Sequence, residues 1–317
     1  MCEAGADKDK AVERWTPLIA ASRSGHLDVV RFLCDAGTDK DKEEDSKTPL
    51  IAASWKGHLE VVRCLCKAGA NKDNALDGVT ALIAASLTGH LDMVRFLCEA
   101  GADKDKDEDS QTPLIAASRR GYLQLVRFLC EAGADKDKGT DMVHPLFTAS
   151  RSGHLDVVRF LCEARADKFT AMEGGTPLIA ASRSGHLDVV KFLCDAGADR
   201  DKEKDSQTPL ITASLKGNVD VVRFLCQAGA DKDKEEDSQT PLIMASLIGH
   251  LEVVRVLCDA GADRDMRSTN ALTPLSVAEH MGHLDVLCCL RQGACRPTAD
   301  GTGGDDGARP SQRRRVA

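Results

Sequence analysis

The chain has 317 residues, 42% of them hydrophobic, and a formal net charge of -8. That apolar content excludes a wholly disordered chain. Aromatics at 3% are too few for a membrane belt or an RNA-stacking sheet, and the acidic balance argues against nucleic acid as a partner. No apolar run approaches the roughly 18 to 20 residues that span a bilayer. The start, Met1 to Lys8, lacks the basic and apolar regions of a signal peptide. The expectation is therefore a cytoplasmic protein, with the nucleus as the other compartment, no membrane insertion, and reduced thiols.

A prior of about 150 residues per domain suggests two domains, but an internal repeat overrides it. Thr-Pro-Leu begins at Thr16, Thr48, Thr112, Thr176, Thr208, Thr240 and Thr273, with variants at Thr80 and His144. Successive starts lie 32 residues apart seven times and then 33. Residues 1–15 read as a partial unit, because Cys2 to Lys10 matches Cys98 to Lys106 without a difference. A solenoid normally opens with a polar cap. None is visible, so the expectation is a piece cut from a longer array.

The unit from Thr16 shows the elements. Thr16 is an N-cap and Pro17 takes the first helical position, where a missing N–H costs nothing. A short helix through Leu18, Ile19, Ala20 and Ala21 stops at Gly25. After His26 a second helix carries Leu27, Val29, Val30, Phe32, Leu33 and Cys34 as its apolar stripe. Asp28, Arg31 and Asp35 form a solvated charge ladder opposite. Ala36-Gly37 ends this helix, and Asp39 to Ser46 reads as a turn or hairpin arm. Helices of eight or nine residues are marginal alone, so neighbouring units must stack.

Thr-Pro-Leu, Ala-Ala, Gly-His-Leu-Asp-Val-Val and Ala-Gly-Ala-Asp recur in that order in almost every unit, and in them the chain resembles the ankyrin repeat family. The resemblance implies an all-α solenoid of stacked helix–turn–helix units with projecting β-hairpin or turn loops. It implies nine tandem repeats over residues 16–296, a concave binding face, and no catalytic site or cofactor. It also marks departures. Ile19, Ile51 and Phe147 stand where the family usually has a His that bonds between repeats. Lys40, Lys72, Lys104, Arg200 and Lys232 stand where it has an apolar residue, which questions the packing of the hairpin base. Arg165 replaces a helix-ending Gly, a local weak point.

The ninth unit, from Thr273, reads as a C-terminal cap. Its second helix is expected to be one residue shorter, with Arg291 where earlier units have Cys. Residues 297–317 read as a disordered tail. Arg313, Arg314 and Arg315 fall short of a specific targeting motif.

The recurring side chains invite chemistry. Cys2, Cys34, Cys66, Cys98, Cys130, Cys162, Cys194, Cys226 and Cys258 recur every 32 residues. Equivalent helices of adjacent units should lie about 8–10 Å apart, too far for a disulfide or a shared zinc, so these read as small buried hydrophobes. Cys64 and Cys66 are close in sequence but point in different directions from a helix. His26, His58, His90, His154, His186, His250 and His283 recur once per unit, with Tyr122 and Asn218 substituting, and read as turn residues. The Ser column at Ser22, Ser54, Ser86 and Ser118 reads as packing. The acidic turns lack the spaced ligands of a calcium loop and read as a solvated face.

Function is expected where near-identical units differ. The two positions before the Gly ending helix one carry Arg23, Trp55, Lys56, Leu87, Arg119, Arg120, Arg151, Arg183, Leu215, Lys216, Leu247 and Ile248. Seven of the residues in this strip are Arg or Lys and none is acidic. In the family the resemblance implies, these positions look onto the concave face. The expectation is a non-enzymatic, monomeric scaffold binding other proteins, its groove basic at the centre, apolar towards both ends and edged by acidic tips. It would suit an extended segment with acidic and aliphatic side chains. The rival is the recognition arm of a larger enzyme such as a ubiquitin ligase or kinase.

Overall fold

The computed structural model describes residues 9–10, 15–109, 111–139, 143–167, 175–205 and 207–292. Residues 1–8 and 293–317 lie outside, and with them Cys2, most of the leading partial unit, the tail and its arginines.

Among the described residues the chain forms nine helix pairs: α1 (Pro17–Ser24) and α2 (Leu27–Asp35), α3 (Pro49–Lys56) and α4 (Leu59–Lys67), α5 (Ala81–Thr88) and α6 (Leu91–Glu99), α7 (Pro113–Arg120) and α8 (Leu123–Glu131), α9 (Pro145–Ser152) and α10 (Leu155–Glu163), α11 (Pro177–Ser184) and α12 (Leu187–Asp195), α13 (Pro209–Lys216) and α14 (Val219–Gln227), α15 (Pro241–Ile248) and α16 (Leu251–Asp259), α17 (Pro274–Met281) and α18 (Leu284–Gln292). No extended strand forms among these residues.

Each first helix is delimited chemically. The Thr16 hydroxyl accepts the Ile19 N–H at 3.3 Å, and the same cap recurs from Thr48 to Thr273. At α9 the cap is His144, whose Nδ1 accepts the Phe147 N–H at 3.2 Å. Glycine at the helix end adopts φ of 73° to 87° in all nine units. In the fifth unit Arg165, at φ 63°, occupies the left-handed position that glycine holds after α2, α4, α6, α8, α12, α14 and α16. It still donates its N–H to the Cys162 carbonyl at 3.1 Å.

The helices form two rows with one apolar core running from Leu18 to Leu290. Leu82, Ile83, Ala84, Ala85 and Ser86 of α5 are all at most 1% exposed. Burying a Leu or Ile contributes about 1.5–3 kcal/mol. The small Ala-Ala-Ser face lets first helices pack more extensively on one another than second helices do. The face expected to be concave is the one built from first helices and the turns beside them.

Three findings revise the expectations for the outer row. The second-helix Phe position is at the margin of the core: Phe32 is 56% exposed, with Val29 also exposed, and Phe96, Phe128, Phe160, Phe192 and Phe224 are only partly buried against it. Arginine guanidiniums of the preceding unit cover the later rings, with Arg63 over Phe96 at 4.7 Å, Arg95 over Phe128 at 4.6 Å, Arg127 over Phe160 at 4.8 Å and Arg159 over Phe192 at 4.9 Å. The arginines thus join neighbouring units as well as pairing with acids, as Arg255 does with Glu252 at 2.6 Å. Finally, α18 is not shortened; it has the same nine residues as the other second helices. Its Arg291 pairs with Glu279 of α17 at 3.7 Å.

The turns are shorter than hairpins. Glu44 and Lys47 exchange both backbone bonds, at 3.2 and 3.1 Å, around Asp45 and Ser46 at positive φ. This is the primed geometry of a two-residue loop. The turn bases are joined by aspartates: the Asp103 N–H donates to Asp73 Oδ1 at 2.8 Å and the Asp135 N–H to Asp105 Oδ1 at 2.9 Å. Each accepting carboxylate belongs to the preceding unit. The acidic stretch is therefore exposed but used, and it fastens the base that lost its apolar residue.

Candidate protein-binding surface

The strip residues sit at the C-terminal ends of the first helices, where the αL glycine stops the chain. Their backbone oxygens are held by the next unit. His58 Nε2 lies 3.1 Å from the Arg23 oxygen, His154 Nε2 3.0 Å from Arg119, and His186 Nε2 3.1 Å from Arg151. His250 and His283 do the same for Leu215 and Leu247. A carbonyl only accepts, so Nε2 carries the proton in these bonds. Asn218 replaces His in the seventh unit, donating from Nδ2 to Ser182 and Arg183 oxygens at 2.8 and 3.1 Å. The close ring also demands glycine: a Cβ on Gly121 would lie 2.5 Å from His154 Nδ1. The histidine column is a turn device, as expected, and it supplies the inter-unit ladder expected to be lost.

The structure brings some strip residues together. Arg23, Trp55 and Lys56 share one cleft with Lys47. Arg119 and Arg151 share another with Val143, Phe147, Thr148 and Ser152. Arg120, Lys56, Lys216 and Ile248 are exposed; Leu87, Leu215, Leu247 and Arg183 are half-buried. Leu87, Leu215, Lys216, Leu247 and Ile248 hold the same register on α5, α13 and α15 without joining either cleft.

The arginines repel one another. Burial, then Arg120 and Arg151, lowers the Arg119 pKa below its ordinary value. Arg183 is lowered by burial and then by Arg151, with Asp205 opposing. Among the described residues none of Arg119, Arg120, Arg151 or Arg183 has a carboxylate within 4.0 Å. Arginine keeps its charge at neutral pH, so this stretch of the first-helix row is positive, with Asp205 beside Arg183 as an opposing charge outside ion-pairing contact.

A second set of positions belongs to the surface and was not singled out from sequence. Trp15, Lys47, Val79, Gln111, Val143 and Gln207 precede each helix cap, and they line or flank the strip. Arg23 lies over the Trp15 ring at 4.2 Å. Arg119 Nη1 donates to Gln111 Oε1 at 3.1 Å, and Arg183 Nη2 donates to Gln207 Oε1, just before the next unit's cap, at 2.8 Å. The signal was available, since this column also varies from unit to unit.

The cysteine column behaves mostly as small apolar packing. Burial pushes the Cys98 and Cys130 thiols up to about 11, so they stay protonated at neutral pH. Among the described residues no cluster of His, Cys, Asp and Glu could hold a metal ion, and no helix is long and apolar enough to cross a membrane.

A family model described as ankyrin repeats (3 copies) matches residues 1–75, 67–140, 107–171, 146–236 and 229–300. No curated protein matches the chain.

Proposed function

The chain belongs to the ankyrin-repeat family, and from that premise we propose that it is a non-enzymatic scaffold that binds an extended acidic segment of a partner protein along its concave face. Modules of this family generally bind other proteins. The observation that carries the finer reading is the cluster of Arg119, Arg120, Arg151 and Arg183 on the inner row, none of them in an ion pair among the described residues. A partner carboxylate between Arg119 and Arg151 would relieve their mutual repulsion and meet planar donors suited to it. Val143 and Phe147 at the back of that cleft suit an aliphatic neighbour. Trp55 and Ile248 extend the same register toward the two ends as apolar anchors. The acidic turn tips discourage an acidic segment from crossing the rim and favour alignment along the groove.

In this reading the protein acts as a monomer in the cytoplasm, needs no cofactor, and contributes position rather than chemistry. The test is affinity capture with the full chain, wild type against Arg119→Glu, Arg120→Glu and Arg151→Glu combined. Partners of the wild type should be lost by the charge-reversed chain, and the retained interaction should weaken with salt. An unchanged set of partners would remove the groove from the proposal.

A further inference from the structure

On the outer row, each arginine-on-phenylalanine contact closes the seam between two second helices. Three units lack the ring, with Cys64 in the second, Val256 in the eighth and Cys289 in the ninth. At the Cys64 and Val256 seams a cleft opens. One is lined by Arg31, Cys34, Glu60, Arg63, Cys64 and Lys67. The other contains Cys226 beside Val256. In the first, Cys34 of α2 and Cys64 of α4 line the same cleft across the junction of the two packed helices. The one-per-unit cysteines cannot meet, being in equivalent register. Cys64 can, because it occupies the Phe position, two residues earlier, and reaches back to the preceding unit. Both sulfurs are half-buried and face an open cleft.

We propose that Cys34 and Cys64 form a redox-sensitive dithiol, oxidised by hydrogen peroxide to a disulfide that ties the first complete repeat to the second. Cys64, flanked by Arg63 and Lys67, takes the first oxidation: its sulfur attacks the peroxide O–O bond, giving a sulfenic acid and one water. Burial and the neighbouring Cys64 favour the thiol form of Cys34, which marks it as the resolving group. Its sulfur displaces the sulfenic hydroxyl, which leaves as a second water with the Cys34 proton. The two sulfurs lose two electrons in all, and the peroxide gains them. A dithiol reductant reverses the bond.

The test treats the full chain with hydrogen peroxide, alkylates the remaining thiols and maps tryptic peptides without reduction. Cys34 lies in a peptide beginning at Phe32 whose sequence, with Thr38, is unique in the chain. It should appear cross-linked to the peptide Cys64 to Lys67, with fragmentation placing the bond on Cys64 rather than Cys66. Cys226, in the matching cleft without a second thiol, should remain alkylated. Cys64→Phe restores the ring found in other units, should keep the fold by circular dichroism, and should leave Cys34 alkylated. Alkylation of Cys34 and Cys64 in the oxidised wild type, or an undiminished intramolecular cross-link at Cys34 in Cys64→Phe, would overturn the proposal.

Discussion

His154 of the fifth unit donates its Nε2–H to the backbone oxygen of Arg119 in the fourth, across 3.0 Å. One bond thereby ties two repeats and fixes the end of the helix that carries Arg119. Removing the ring in His154→Ala should cost about 1 kcal/mol. His154→Asn should retain most of it, because Asn218 makes the equivalent bonds in the seventh unit. Urea unfolding of both variants checks the ordering, and equal loss in both would assign the effect to packing alone.

Arg165 sits at φ 63°, where neighbouring units have glycine. A side chain in the left-handed region costs about 1 kcal/mol, and this one is exposed, with little packing to offset it. Arg165→Gly should raise stability by that order despite glycine's greater freedom in the unfolded chain. Thermal unfolding should show a higher Tm, and a lower one would mean that unfolded-state entropy dominates.

His144 caps α9 from a nearly sealed position, 2% exposed, and burial lowers its pKa from 6.5 to about 4 against the opposing pull of Asp137 and Asp167. Capping needs Nδ1 unprotonated. Below pH 6.5 the unfolded chain binds a proton that the folded chain refuses until about pH 4. Stability is therefore lost as pH falls through this window, by about 3 kcal/mol at the limit, and levels off below it. His144→Thr, matching the other caps, should remove this component. Its stability relative to wild type should grow between pH 7 and pH 4.5; a constant difference would show that His144 does not titrate as described.

Ser118 is fully buried in α7, and its Oγ has no hydrogen-bond partner, whereas Ser86 Oγ donates to the Leu82 oxygen at 2.8 Å. Ser118→Ala should be neutral or stabilising by about 0.5 kcal/mol, since alanine is the better helix former. Ser118→Val should destabilise, because first helices touch across this face and have no room for two more carbons. Chemical denaturation distinguishes the two directions.

The sequence by itself determined what depends on near neighbours along the chain. The 32-residue period, the Thr-Pro helix starts, the αL glycine stops and the strain expected at Arg165 are local, so each could be read from one unit. The strip itself was also legible, because nearly identical units expose their differences. Tertiary structure decided everything that required one unit to lie against the next. Phe32 follows the helical period of an apolar stripe, yet only stacking determines that this position faces outward and that an arginine from the preceding unit covers the later rings. The aspartates of the turns read as solvated charge until the neighbouring backbone supplied their donors. Gln111 and Gln207 joined the candidate surface only when the arginines were seen to reach them. Cys64 looked like an isolated neighbour of Cys66, because sequence spacing describes one helix. Its distance to Cys34 is set by how far apart two helices settle when their small inner faces pack closely and their outer faces do not.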